Sequence, residues 1–231
     1  MNKDSFIWWD WVESHTGEIR AATYEHLRLT LMAVGLGFAI SLVLALIALR
    51  WRVARAVITG LAGLLYTIPS LALFGVLVTI TGFTTLTAEI GLVGYTLLIL
   101  VRNILEGIGG VPADVREAAD GMGFSPVRRL LAVDLRLATP AIVAGLRIAT
   151  VTTVGLVTVT GLIGMGGYGS FIDAGLDRLF STEVVVGAGL SIAMAMVLDG
   201  LLVAVERLIT PWRRAGRRRL SWDPMLPEPV T

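Results

Sequence analysis

The sequence predicts an all-α integral membrane protein with about five transmembrane helices. Of its 231 residues, 55% are hydrophobic, a larger share than an ordinary soluble domain carries. These residues fall into blocks of about 20 or more, the length at which a helix rising 1.5 Å per residue crosses a bilayer. All six tryptophans flank such blocks, which is typical of the membrane–water interface; they are Trp8, Trp9, Trp11, Trp51, Trp212 and Trp222.

The hydropathy pattern divides the chain into three regions. Residues 1–23 contain three of the tryptophans and are predicted to form an external interfacial segment, with a frayed tail as the alternative. Residues 24–210 form the transmembrane domain, and residues 211–231 form a basic cytoplasmic tail. The predicted spans are 27–49, 56–80, 86–105, 138–162 and 184–208.

Polar groups inside the second and third spans are candidates for the translocation pathway or for gating. Tyr66, Pro69 and Ser70 place hydroxyls and a helix breaker within the second span. They either line a path and let the helix flex, or mark a packing kink whose hydroxyls bond to their own backbone. Asn103, at the predicted end of the third span, either caps that helix or lines the inner mouth.

Two ionisable residues lie at similar depth in the last two spans. Arg147 belongs to the fourth span and Asp199 to the fifth. A charge at such depth is costly unless it is paired or hydrated. The two residues either pair and fix the packing of these spans, or Arg147 extends to the interface while Asp199 faces the central pathway.

Residues 113–136 form the longest polar break and are predicted to fold as helix, glycine turn, helix. Good helix formers up to Asp120 are followed by Gly121 and Gly123, and then by Ser125 as an N-cap with Pro126 at the first helical position. A solvated loop is the alternative. The second helix is expected to turn apolar residues to one face and arginines to the other, namely Val127, Leu130, Leu131 and Val133 against Arg128 and Arg129.

The arginine distribution predicts the orientation in the membrane. Arginines are concentrated after the first span, in the 113–136 hairpin and in the C-terminal tail. The positive-inside rule therefore places the hairpin and the C-terminus in the cytoplasm and the N-terminus outside.

Composition excludes several classes of function. The chain has no cysteine, so it has neither disulfides nor a thiolate metal site. Lys3 is its only lysine, so the chain cannot contain a P-loop, and any ATP that drives it must bind another polypeptide. We find no catalytic constellation and no basic-aromatic patch for nucleic acid. His15 and His26 are expected in a solvated tail rather than at a metal.

A GxGxxG pattern, Gly164–Gly169, follows a span rather than a parallel strand, so it does not indicate a nucleotide site. Residues 164–183 are instead expected to form a flexible outer loop that contacts an external binding protein.

The hairpin resembles the EAA loop of ABC-importer permeases. Glu117, Ala118 and Ala119, then three residues and Gly123, match its core, although Arg136 stands where that family usually has proline. Other stretches are similar to permeases of osmoprotectant importers (glycine betaine, carnitine, choline), and the resemblance covers roughly residues 24–210. These stretches are residues 25–30, 67–72, 102–103 and 161–169.

The resemblance implies a type I ABC permease fold in a bacterial inner membrane, with the hairpin as a cytoplasmic coupling helix. It implies that Glu117, Ala118, Ala119, Gly123 and Arg128 meet a separate ATPase subunit, which holds ATP and magnesium, while this chain itself holds no cofactor. The other implied partners are an extracellular or periplasmic substrate-binding protein, a second permease subunit (identical or related) and membrane lipid. A permease for another small solute such as methionine, or an ATP-independent secondary carrier, is the alternative.

Overall fold

The computed structural model describes residues 7–211, and every regular element within that range is helical. Four of its helices are long and apolar enough to cross a membrane, or up to five if one bent pair is a single span. The elements are α1 (Trp9–Ser14), α2 (Thr16–Arg50), α3 (Arg52–Thr67), α4 (Ser70–Thr81), α5 (Thr85–Gly109), α6 (Ala113–Gly121), α7 (Pro126–Arg129), a π-helical turn (Leu130–Asp134), α8 (Leu135–Thr160), a 3-10 turn (Gly161–Ile163), α9 (Gly169–Asp177) and α10 (Ser181–Ile209).

Helix α5 is the centre of the bundle, and it packs between α2 and α8. Two apolar clusters show how the three helices run. One joins Leu29, Leu92 and Val157, and the other joins residues around Ala48, Leu105 and Ala138. Helices α2 and α5 are therefore parallel, and α8 runs antiparallel to both.

Small residues allow these helices to approach closely. A Cβ added at Gly37 of α2 would lie 1.9 Å from Oγ1 of Thr96 in α5, and one added at Gly145 of α8 would lie 2.5 Å from Cβ of Asn103 in α5. Glycine at such positions lets membrane helices pack backbone to side chain.

The predicted second span, 56–80, with a possible kink at Pro69, is replaced by two helices bent by 97°. Helix α3 ends at Thr67 and α4 begins at Ser70. Proline disfavours the helical conformation in the residue before it, and Ile68 accordingly adopts extended backbone (φ −68°, ψ 128°). The kink considered at Pro69 is thus a sharp corner that divides the segment into two helices.

The N-terminal segment is ordered against the far end of the bundle. Helix α2 begins at Thr16, well before the predicted residue 27, so the predicted boundary at residue 23 falls inside a continuous helix. The Trp8 amide donates to Oγ1 of Thr182 over 2.9 Å, and Trp11 meets the Phe171 and Phe180 rings edge-on. These contacts disagree with a frayed tail over residues 8–23. The described residues end at residue 211, so the predicted basic tail lies outside them.

The expected flexible loop at 164–183 is also wrong, since much of it is helical. Helix α9 is held against the end of α8, where a Cβ added at Gly161 would lie 2.3 Å from the Gly169 carbonyl carbon. The Gly167 amide donates to Oε2 of Glu25 over 3.2 Å, which ties the segment to α2. Hydrogen bonds from the backbone and close contacts thus hold the segment that was expected to be a flexible loop.

Candidate coupling hairpin and intramembrane ion pair

The structure confirms the predicted helix, glycine turn, helix between residues 113 and 136. Helix α6 ends at Gly121, and Gly123 adopts a left-handed conformation with φ +79°. Oγ of Ser125 then accepts a hydrogen bond from the Arg128 amide (3.3 Å), and Pro126 occupies the first helical turn. The second helix continues through the π-helical turn into α8. Helix α8 runs past Arg136, which stands where the family pattern has proline, and also past Pro140 without ending.

A network of charges fixes the hairpin to the end of α5. The buried Asp134 carboxylate lies 3.2 Å from Nε of Arg116 and 3.7 Å from Nε of Arg129. Arg129 also pairs with Asp120, and Arg116 donates to the Ile108 carbonyl at the end of α5. The prediction that Arg129 lies on the solvent face is therefore wrong, because its guanidinium bridges the two arms of the hairpin.

The outer surface of the hairpin is more apolar than its sequence pattern predicts. Met122, Val127 and Leu131 are 69%, 66% and 62% exposed, so the predicted apolar face does not pack inward as a unit. Leu130 does pack against the core cluster around Leu105. Helix α7 and its continuation therefore pack one side, with Leu130, against the core, while the side with Val127 and Leu131 is left uncovered in this chain.

The coupling residues proposed from the EAA pattern divide into two groups. Glu117, Ala118, Gly123 and Arg128 are exposed, and the Arg128 guanidinium lies 4.4 Å from the centre of the Phe124 ring. Ala119 is 1% exposed, so it packs the hairpin rather than presenting a contact surface.

Arg147 and Asp199 form the pair that is one of the two sequence-based alternatives. Nε and an Nη of Arg147 donate to the two carboxylate oxygens of Asp199 over 2.7 and 2.9 Å. The pair joins α8 to α10 and borders an open groove of about 440 Å³. The groove is lined by Ala144, Arg147, Ile148, Val151, Thr152 and Asp199.

The other pathway candidates lie elsewhere and make packing contacts. Tyr66 meets Tyr95 edge-on with ring centres 5.8 Å apart, and the Tyr95 hydroxyl donates to the Ile68 carbonyl at the α3–α4 corner. Thr67, beside them, bonds its hydroxyl to the Leu64 carbonyl over 2.7 Å. These contacts favour the packing-kink alternative for the Tyr66–Ser70 stretch.

Asn103 does not end the third helix, because α5 continues to Gly109. Its Nδ2 donates to the Ile99 carbonyl one turn earlier over 2.8 Å, and its side chain faces Gly145. Pro69 and Ser70 lie at the start of α4, and neither they nor Asn103 line the groove of the ion pair.

His26 is fully buried, so its expected place in a solvated tail is wrong. Nδ1 accepts the Tyr168 amide over 3.3 Å, and Nε2 lies 3.1 Å from the Val154 carbonyl. Nε2 must therefore carry the proton and donate it, which describes a neutral imidazole joining α2, α8 and the start of α9. His15 instead stacks on Trp11, and the described residues contain no group of His, Cys, Asp or Glu that could hold a metal ion.

The sequence pattern assigned no role to some of these residues. Asp134, Arg116 and Asp120 lie on separate turns of the chain, and only the closure of the hairpin brings them together. Glu89, near the start of the predicted third span, is only 6% exposed inside the bundle. The weak signal was the occurrence of acids and arginines together in one short polar break.

Comparison with known proteins places this arrangement among transport components. Residues 35–211 match the family described as "Binding-protein-dependent transport system inner membrane component". The chain is 33% identical to the choline transport system permease protein OpuBB of Bacillus subtilis, over 91% of this chain and 95% of that one. It is 30% identical to the glycine betaine/carnitine/choline transport system permease protein OpuCB of the same organism, over 91% and 97%.

A solved structure shares the fold. It is a chain of the MetNI methionine ABC transporter in an inward-facing conformation, which matches with a TM-score of 0.73 over 86% of this chain and 99% of that one. At 20% sequence identity this likeness establishes the fold alone, and it confirms the predicted type I ABC permease architecture.

Proposed function

Because the chain belongs to the family of binding-protein-dependent transport system inner membrane components, we propose that it is the permease subunit of an ATP-driven importer for compatible solutes. Glycine betaine, choline and carnitine are the proposed solutes, since these are the compounds in the names of its relatives. The observation that carries the proposal is the ordered, exposed hairpin that bears the EAA residues.

The hairpin is proposed to receive mechanical work from a separate ATPase subunit, which binds ATP and magnesium. Glu117, Ala118, Gly123 and Arg128 are accessible for this contact, while Ala119 supports them from below. The uncovered Met122, Val127 and Leu131 support the same role, because exposed apolar patches mark interaction sites. The continuous helix from Pro126 into the fourth span would carry a displacement of the hairpin directly into the membrane.

The remaining proposed partners complete the transporter. Of the four unbroken spans among the described residues, α10 is the least covered, with 6% of its apolar window buried, which leaves room for lipid and for a second permease subunit. An external substrate-binding protein would dock at the opposite end from the hairpin, on the ordered α9 segment. We place the hairpin and the C-terminus in the cytoplasm and the N-terminus outside, on the arginine distribution.

The alternatives have weaker support. A methionine importer shares the fold, but a likeness at 20% identity carries no substrate. An ATP-independent carrier does not fit the family, whose description names a transport system that depends on a binding protein.

The test is uptake in cells that lack their own compatible-solute importers. The permease, its ATPase and its binding protein are expressed together, and the uptake of labelled glycine betaine, choline, carnitine and methionine is measured under high salt. We expect ATP-dependent uptake of at least one quaternary ammonium solute and none of methionine. Uptake of methionine alone, or uptake that persists without the ATPase, would contradict the proposal.

A variant links this uptake to the hairpin. Glu117→Lys reverses a charge on the exposed arm and is expected to abolish uptake and the stimulation of ATP hydrolysis. Insertion into the membrane should remain normal because the Glu117 side chain is exposed rather than packed inside the protein. Asp114→Lys, on an exposed residue one turn earlier that lies outside the EAA pattern, is the matched control.

A further inference from the structure

The Arg147–Asp199 pair lies in an open groove rather than in the core. Its α8 residues repeat with helical spacing at 144, 147, 148, 151 and 152, so they form one continuous strip. The buried residues of α8, such as Ala149 and Val154, face the other way toward α5 and α2. Asp199 completes the groove from α10.

Both members of the pair are partly exposed within this chain. The side chains of Arg147 and Asp199 are 34% and 32% exposed. Charges within a membrane span face the bundle interior or a water-filled cavity, because exposure to lipid is costly. The groove of about 440 Å³ has room for more than ten water molecules at about 30 Å³ each. Within this chain the pair therefore borders an open space large enough for a small polar solute.

The groove combines a positive charge, a negative charge and apolar side chains, and one class of solute carries groups that complement all three. A guanidinium binds a carboxylate through two parallel hydrogen bonds, and in this structure Asp199 accepts both of those from Arg147. A carboxylate attracts a quaternary ammonium by charge alone, since that cation has no N–H to donate. Ile148 and Val151, 52% and 42% exposed beside the pair, offer apolar surface to N-methyl groups.

We propose that this groove is a transient subsite for a zwitterionic solute that carries both a carboxylate and a quaternary ammonium group. The inference rests on the proposed function and adds where, within this chain, the solute is bound. Arg147 exchanges Asp199 for the solute carboxylate, and Asp199 takes the solute ammonium. The pair opens on the solute's arrival and closes behind it.

The exchange keeps every charge compensated. Breaking an ion pair by removing one partner is strongly unfavourable when the other charge has nowhere to go. A zwitterion replaces one ion pair with two, so neither Arg147 nor Asp199 is left alone. Choline has no carboxylate and would leave Arg147 without a partner, so this subsite favours glycine betaine and carnitine over choline.

The experiment compares single and double neutral variants with solutes that differ in one group. Arg147→Gln, Asp199→Asn and the double variant are expressed with the ATPase and the binding protein, and the uptake of labelled glycine betaine, carnitine and choline is measured. Membrane content and co-purification of the ATPase report on assembly. The ratio of zwitterion to choline uptake, relative to wild type, is the decisive readout, because loss of folding would lower all solutes equally.

We expect Arg147→Gln to lower uptake of glycine betaine and carnitine by at least about tenfold and to lower choline uptake by less than about threefold. Asp199→Asn should lower the uptake of every solute, because each carries the ammonium group. The double variant should assemble normally, since neutralising both partners leaves no uncompensated charge, and should still fail to transport zwitterions.

Two results would overturn the inference without touching the proposed function. One is a double variant that transports zwitterions at the wild-type rate, which is what a structural clamp predicts. The other is a wild-type transporter that carries choline but neither zwitterion. A wild-type transporter that carries none of the three solutes would instead refute the proposed function itself.

Discussion

Gly123 is the residue on which the hairpin turn depends. Its φ of +79° lies in the left-handed region, where a Cβ crowds the following carbonyl. Its amide donates to the Asp120 carbonyl over 2.9 Å, so the conformation also closes the end of α6. A side chain here would have to change the turn and with it the direction in which Arg128 and Val127 point.

Gly123→Val is expected to lower the stability of the hairpin by about 1–2 kcal/mol and to reduce transport severely, because a β-branched residue resists positive φ. Uptake and thermal unfolding in detergent measure the two effects. Gly121→Ala is the matched control, since Gly121 has ordinary helical φ and no atom within 4 Å of an added Cβ. Wild-type uptake in Gly123→Val would show that the turn geometry is not required.

Glu89 is a second residue whose environment predicts an outcome. Both of its carboxylate oxygens are buried and lack a hydrogen-bond partner within residues 7–211. A buried polar group without a partner is destabilising, and a charged one more so.

Glu89→Gln keeps the shape of the side chain and removes its charge but not its unpaired polar atoms, so we expect it to raise the free energy of unfolding by about 1 kcal/mol. An increase in the midpoint of thermal unfolding measures this. Glu13→Gln, on the exposed face of α1, should leave the midpoint unchanged. A lower midpoint for Glu89→Gln would instead indicate that the charge of Glu89 stabilises the fold, for instance through Arg28, which acts on it electrostatically.

At the scale of elements, the hairpin behaves as a braced unit rather than as a loop. Arg129 joins Asp120 of α6 to Asp134 of the following helix, and Arg116 joins Asp134 to the end of α5. The brace makes the hairpin rigid with respect to two spans at once. A force applied at Glu117 can then be transmitted instead of being absorbed by bending.

Asp134→Asn removes the charge that both arginines share, and we expect it to cost about 2–3 kcal/mol of stability. The loss is smaller than for a fully enclosed pair because the arginine side chains are 31% and 27% exposed. Thermal unfolding measures the loss, and ATP hydrolysis stimulated by the binding protein reports whether coupling weakens with it.

Asp114→Asn provides the control for this variant, because Asp114 is an exposed acid in the first turn of α6. Its neutralisation should change stability by less than about 0.5 kcal/mol. Equal effects of the two variants would mean that general charge, not the Asp134 brace, stabilises the hairpin.

At the scale of the whole molecule, the helices separate two ends with different chemistry. The hairpin is at one end, and the clasp of α1, α9 and the start of α2 is at the other, where His26 and Glu25 hold residues 167–168. The α3–α4 corner and the Arg147 groove lie between these two ends, outside the central helix α5. An alternating-access mechanism needs such a division, with a driven end, an opposite end and a movable middle.

Cysteine labelling tests which end is inside. The natural chain has no cysteine, so single substitutions give no background. Leu179→Cys, at a side chain 92% exposed near α9, should react with a membrane-impermeant maleimide in intact spheroplasts. Met122→Cys in the hairpin should react only after the membrane is permeabilised. The reverse pattern would contradict the orientation and, with it, the proposed contact between the hairpin and a cytoplasmic ATPase.

Local and one-dimensional features could be predicted from the sequence by itself. The length of the apolar blocks determines which segments cross the membrane, because span length depends only on rise per residue and bilayer thickness. Ser125, Pro126 and Gly123 determine the hairpin because caps and turns act within a few residues. The similar depth of Arg147 and Asp199 allowed their pairing to be considered before the pair was seen.

Only the tertiary structure decided the features that depend on residues far apart in the chain. His26 bonds to Val154 across 128 positions, so its burial could not be read from the polar segment around it. The outward turn of Val127 and Leu131, the inward turn of Arg129 and the 97° corner before Ser70 depend in the same way on which neighbours fill the space around each helix. The physical reason is that helical periodicity defines the faces of a helix, whereas packing against other helices determines which face is covered.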